Sequence, residues 1–266
     1  MTTPLELFQA GDPDGALELA TAAVKNKPTD IAARSLLCEI LCFSGDLERA
    51  DRQLDSIVKI DPQAAPGVSL MRHLIRSEMS RQEVYEQGRV PDFLELPTES
   101  QQNRLQALLS VREGNGALAV EQLNAAAELD PDLTGSLNGN PFEGFCDMDD
   151  LLGSVMEVFT ATGKYYWLNC DQIVSIDFEP VTHITDMLWR SASIETTGSV
   201  TGRVHIPAVY HGSARSDNPL VRIGRTTEWV QQDEQSPVRG AGRREFLIGD
   251  DPVSILEIRS LRFGQN

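Results

Sequence analysis

One spacing recurs three times between the N-terminus and Pro131: a glycine, an alanine five residues on, and a proline twelve residues beyond that. The positions are Gly11, Ala16 and Pro28, then Gly45, Ala50 and Pro62, then Gly114, Ala119 and Pro131. Each residue type suits one place in a helix pair. Glycine accepts the backbone of the turn between two helices, alanine lets their axes approach, and proline, lacking an N–H, ends the second helix. The step from Gly11 to Gly45 matches the period of about 34 residues that marks a tetratricopeptide repeat, and the step from Gly45 to Gly114 is close to two such periods. A degenerate unit is therefore expected from about Gly67 to Pro97.

The helix pairs can be drawn from the apolar pattern. In the second unit Ile31–Phe43 reads as the first helix, with Leu36, Leu37, Ile40 and Leu41 on one face, and Leu47–Ile60 as the second, with Leu47, Ala50, Leu54, Ile57 and Val58 at helical spacing. Asp46 is placed to cap the second helix and Asp61-Pro62 to stop it. In the first unit the first helix shrinks to Pro4–Ala10, as befits a terminal repeat with one neighbour. Val68–Gln87 is helical in pattern and ends near Gly88, followed by an irregular VPDFLELPTES. Stacked pairs form a curved surface lined by their first helices. Its inward positions are Ala32, Ser35, Glu39 and Phe43 in the second unit and Gln101, Arg104 and Leu108 in the third. These seven are the candidate groove for an amphipathic partner helix or an extended peptide.

Beyond Pro131 the period changes. SLNGNPFEG reads as a connector, which divides the chain into a helical-repeat domain over 1–135 and a second domain over 136–266. Short β-prone runs follow at Val155–Ala161, Lys164–Leu168, Ile173–Phe178, Ala192–Thr196, Arg203–Ile206, Phe246–Ile248 and Val253–Ile258. Helical turns are expected only at Asp149–Leu152 and Thr185–Trp189. The expected fold is α+β in two domains, the second a mostly antiparallel sheet or partly open barrel with short helices.

The formal net charge of −17 is spread over both halves, with 12 Lys+Arg against 22 Asp+Glu in residues 1–140 and 11 against 18 in the rest. Neither half offers the basic surface that releases counterions from nucleic acid, and an anionic membrane is disfavoured for the same reason. No apolar run approaches the roughly 20 residues of a membrane span, and the N-terminus lacks a basic region and signal core. A cytoplasmic location is expected. Cys38 and Cys42, one helical turn apart among apolar residues, read as buried thiols.

Chemistry-bearing residues are sparse. Asp147, Asp149 and Asp150 lack the glycine and distal glutamate of a calcium loop and read as a helix start before Leu151-Leu152. His183, His205 and His211 stand near no recognisable nucleophile motif, and no glycine group forms a phosphate-binding loop. Tyr165, Tyr166, Trp167, Trp189 and Trp229 read as mainly structural. Six arginines from Arg215 to Arg244 offer a contact for an acidic partner surface, but the interior of that segment, QQDEQSPVRGAGRR, reads as a solvated, mobile loop. No catalytic residue, cofactor or metal is assigned. A hydrolase or nucleotide-dependent enzyme in the second domain is the alternative, resting on the histidines and the acidic cluster.

The segment CDMDDLLGSVMEVFTATGKYYWLNCDQIVSIDFEP, then DMLWRSASI, IPAVYHGS, GRTTEW and SILEIRSLRF, in that order, resembles the ImpE family, also called TagJ or SciE. Asn169 stands where that pattern has proline. The resemblance covers essentially the whole chain, since that family also begins with a tetratricopeptide-like half. It implies a non-enzymatic accessory protein of a bacterial type VI secretion system. It also implies a sheath partner, the N-terminal helix of the small sheath subunit, and an indirect link to the disassembly ATPase.

Overall fold

A computed structural model describes residues 2–264 of the chain. The helical half comprises α1 (Pro4–Ala10), α2 (Pro13–Asn26), α3 (Ile31–Phe43), α4 (Leu47–Ile60), α5 (Ala65–Gln87), α6 (Glu99–Arg112) and α7 (Gly116–Glu128). Pairs α1–α2, α3–α4 and α6–α7 are the three units expected from the spacing. Gly11, Gly45 and Gly114 all adopt positive φ, at 92°, 74° and 73°, where an L side chain is strained. Ala16, Ala50 and Ala119 are each fully buried between helices. Most of these helices begin on a side-chain cap: Asp46, for example, accepts from the Arg49 N–H at 3.2 Å, and Thr98 forms a capping box with Gln101.

The interval between the second and third units is the degenerate unit expected there: one long helix, α5, ending at Gly88 in the left-handed conformation, followed by an irregular connection in place of a second helix. The reason is its second face. Ser77, Arg81, Val84 and Tyr85 are buried, and α5 packs on the sheet where a second helix would otherwise lie.

The other half contains β1 (Thr134–Leu137), β2 (Asn140–Glu143), β3 (Phe145–Asp147), β4 (Val155–Thr160), β5 (Tyr165–Asn169), β6 (Ile173–Phe178), β7 (Trp189–Thr196), β8 (Thr201–Pro207), α8 (Pro219–Arg222), β9 (Thr227–Val230), β10 (Arg239–Gly242), β11 (Glu245–Ile248), β12 (Asp251–Ser254) and β13 (Ser260–Phe263). Eight strands form an open antiparallel sheet in the order β2-β1-β13-β6-β7-β8-β4-β5, with no closed barrel among the described residues. A second sheet, β12-β11-β3, and a two-stranded ribbon, β9–β10, complete the half. The SLNGNPFEG stretch is a β1–β2 hairpin rather than a connector, turning on Asn138 (φ 52°) and Gly139 (φ 89°). Asn-Gly with both φ positive is the tight turn whose twist matches paired strands.

Alternation along β4 explains how the halves join. Val155 and Phe159 face the helices and enter one core with Leu37, Leu41, Leu74 and Leu108, while Met156 and Val158 face a second core with Phe145, Ile176 and Phe246. The helical and β halves therefore share a hydrophobic core. The exposed backbone of edge strand β5 is covered by the α5–α6 connection. Asp92 donates its N–H to the Tyr165 carbonyl at 2.9 Å and accepts from the Trp167 N–H at 3.0 Å.

Candidate partner-binding groove

Between α3, α4 and the first turns of α5 lies an open cavity of about 420 Å³. Its floor is apolar: Cys38 from α3, Leu54 and Ile57 from α4, and Val68 from α5 are buried there. Ile31, Ser35 and Glu39 line the α3 side and Met71 the α5 side, and Thr185, from the 3-10 turn Ile184–Met187, reaches in from the β half. Glu39 is half-buried. Loss of water raises its carboxyl above the usual range, with His183 acting against that shift and Asp186 adding to it. Ala32 is exposed on α3, one turn before Ser35.

The seven sequence candidates divide sharply. Ala32, Ser35 and Glu39 lie on or beside the open groove. Phe43, on the same stripe, is buried against Phe8 of α1, ring centroids 4.8 Å apart and planes at 62°. Gln101, Arg104 and Leu108 are buried as well, because the β half occupies the concave side of α6. Gln101 donates to the Trp167 carbonyl at 3.3 Å; Arg104 donates to the Asp150 carbonyl at 3.1 Å and is paired with Asp130. Gly153, with φ 50°, leaves the space the Arg104 guanidinium fills. These four residues cannot meet a partner without opening the core.

A buried ionic centre at the helix–sheet junction ties the middle of α5, beyond the turns that line the groove, to the sheet. Arg81 of α5 holds Glu157 of β4 with both arms of its fork, at 2.8 and 2.9 Å. Glu157 also accepts from Arg244 at 3.2 Å, Tyr165 at 2.5 Å and Tyr85 at 3.3 Å. Arg244 continues to Asp147 at 2.6 Å, and Arg239 pairs with Asp149 at 2.8 Å. Burial alone would push Glu157 up, but the Arg81 and Arg244 guanidiniums overcome it and hold the carboxyl at about 2. At Asp147 burial wins despite Arg244, and the carboxyl sits at about 6.

This centre corrects two expectations. Asp147 and Asp149 begin no helix: each accepts the backbone N–H two residues on, at 2.9 and 3.0 Å, shaping a turn over 150–154. The Arg215–Arg244 segment is ordered, containing α8 and the β9–β10 ribbon, with Arg244 wholly buried and Arg222 and Arg215 paired to Asp14 and Glu86 of the helical half. What sequence reasoning missed was pairing across 87 residues between Glu157 and Arg244. No local pattern announces that distance.

The histidines have structural surroundings. His205, on β8, is buried and pushed down to about 4 by loss of water. His211 stacks on Tyr85 with centroids 4.4 Å apart and lies 3.2 Å from Glu86. Tyr165, Trp167 and Trp189 are buried in the shared core, whereas Trp229 is 40% exposed on the ribbon. Among the described residues, no group of three or more His, Cys, Asp or Glu is arranged to hold a metal ion, and no helix is long and apolar enough to cross a membrane.

Residues 139–262 match the family model described as ImpE protein, and residues 7–74 match a tetratricopeptide repeat model. The type VI secretion system accessory component TagJ of Pseudomonas aeruginosa is 30% identical over 258 residues, covering 97% of this chain and 90% of that relative. The chain belongs to the ImpE/TagJ family. A crystal structure of a Vibrio parahaemolyticus protein has the same fold, with TM-score 0.93 at 27% identity over 100% of this chain and 98% of that one. Within this ImpE/TagJ protein the repeat match spans α1–α4 and the start of α5, the elements that build the open groove.

Proposed function

We propose that this chain is a non-enzymatic accessory component of a type VI secretion system, binding a protein partner in the groove between α3, α4 and α5. The partner in this reading is the N-terminal helix of the small sheath subunit. Through that contact the protein would influence sheath assembly or recycling in the cytoplasm. The observation that carries the reading is the open apolar cavity of about 420 Å³ on the repeat half, of a size and lining suited to side chains from one face of an amphipathic helix. The name of the Pseudomonas aeruginosa relative supports the secretion setting.

Fluorescence anisotropy with a labelled N-terminal peptide of the cognate small sheath subunit tests it. Saturable binding is expected, weakened at least tenfold by Met71→Arg, which introduces a long cation at the groove wall. Absence of binding to the unsubstituted protein, or equal binding by Met71→Arg, would reject the groove as the site.

A further inference from the structure

Glu39 is the one acidic side chain lining the groove, and among the described residues it has no ion-pair or hydrogen-bond partner within the chain. Other inward carboxylates are matched: Glu157 by Arg81 and Arg244, Asp149 by Arg239, Asp130 by Arg104. Arg72, the basic residue at the back of the α4–α5 packing, is already shared between Asp51 and Asp55. His183 and Asp186 of the β half act on Glu39 in opposite senses. A carboxylate partly stripped of water and left unpaired is unfavourable in the free protein, and a cation brought by a ligand relieves that cost. Ser35 precedes Glu39 by one helical turn, so its hydroxyl stands on the same wall.

We propose that Glu39 selects the occupant of this groove: an amphipathic helix that carries a lysine or arginine within its apolar face and pairs that cation with Glu39. This rests on the groove being the partner-binding site. The charge of the helical half, 12 Lys+Arg against 22 Asp+Glu in residues 1–140, draws a basic segment toward the surface and repels an acidic one. The apolar floor of Leu54, Ile57 and Val68 receives the flanking aliphatic side chains, and the stem of a long basic residue crosses it before its head reaches the carboxylate. A helix with only aliphatic residues on that face would leave Glu39 buried deeper and still unpaired.

The full-length protein and Glu39→Gln are titrated at low salt with three labelled leucine/alanine amphipathic helices, identical except for Lys, Gln or Glu at one position of the apolar face. The lysine helix is expected to bind the unsubstituted protein about tenfold more tightly than the glutamine helix, with the glutamate helix weakest, and Glu39→Gln should shrink the lysine preference below about twofold. Equal binding of the three, a preference that survives Glu39→Gln, or no binding of any helix overturns the proposal. The cognate sheath peptide is titrated in parallel. If it fails to bind while the lysine preference holds, the sheath assignment falls and the role of Glu39 stands. An unchanged melting temperature in Glu39→Gln confirms that the variant reports recognition, since among the described residues the side chain has no partner to lose.

Discussion

The first helices of the second and third repeat units begin from the same sequence register and end in opposite surroundings. On α3, Glu39 faces an open cavity with no partner among the described residues; on α6, Arg104 is enclosed, paired with Asp130 and bonded to the Asp150 carbonyl. The difference comes from what covers the concave side. At α6 the β half fills the curve of the repeat, whereas at α3 only Thr185 reaches the edge of the groove. A repeat register thus fixes which residues point inward and leaves open whether the inside is a binding surface or a core.

Breaking the junction that keeps the third unit closed should produce the largest effect. Arg244→Met strands Asp147 and leaves Glu157 with one guanidinium, and about 5 kcal/mol of unfolding free energy should be lost, read as a fall in melting temperature of roughly 10 °C or more. Next comes the direct comparison of the two helices. Arg104→Glu sets a carboxylate beside Asp130 in a buried site and should lose about 4 kcal/mol in denaturant titration, while Glu39→Gln should change stability by less than about 0.5 kcal/mol. Similar losses at the two positions would erase the distinction between open and closed units.

Acid should weaken the same junction in a defined window. Glu157 is held at about 2 when folded against an ordinary 4.5, so its contribution is complete above about pH 4.5 and is lost as pH falls toward 2. The loss amounts to about 3 kcal/mol. Asp147, raised to about 6, acts in the opposite sense, its native carboxyl taking up a proton first between about pH 6 and 3.8. Stability measured against pH should fall steeply below about 4.5, and Glu157→Gln should flatten that limb. Among the ion pairs the smallest effect is expected at the surface contact joining α8 to α2: Arg222→Ala removes a 2.6 Å contact to the exposed Asp14 and should shift stability by less than about 1 kcal/mol.

Much of the helical half was legible in the sequence because its signals are local. The bounds of α1, α3 and α4 follow from caps, apolar period and proline stops within a few residues of each helix end. The strands from β4 to β8 were legible for a similar reason, as apolar runs set between turn residues. The β1–β2 hairpin was also announced locally, by Asn138-Gly139 between two short extended runs, but the polar density around that pair resembled a linker. What remained hidden depends on contacts far apart in the chain. The burial of Arg81 on α5 is explained by β4 arriving 76 residues later, and the burial of Gln101 and Arg104 by Trp167 and Asp150 arriving from the β half. Of the seven groove candidates, the three on or beside the open cavity lie on α3 before its buried C-terminal end, where Thr185 comes in from the β half.

Hydrogen–deuterium exchange on the intact protein, with and without the cognate sheath peptide, tests most directly whether partner binding belongs to the open unit. The account predicts slower exchange on binding in Ile31–Phe43, in the first turns of Ala65–Gln87 and around Thr185, with Glu99–Arg112 unchanged. Protection centred on Glu99–Arg112 or on the Thr227–Gly242 ribbon, with Ile31–Phe43 unaffected, would contradict it.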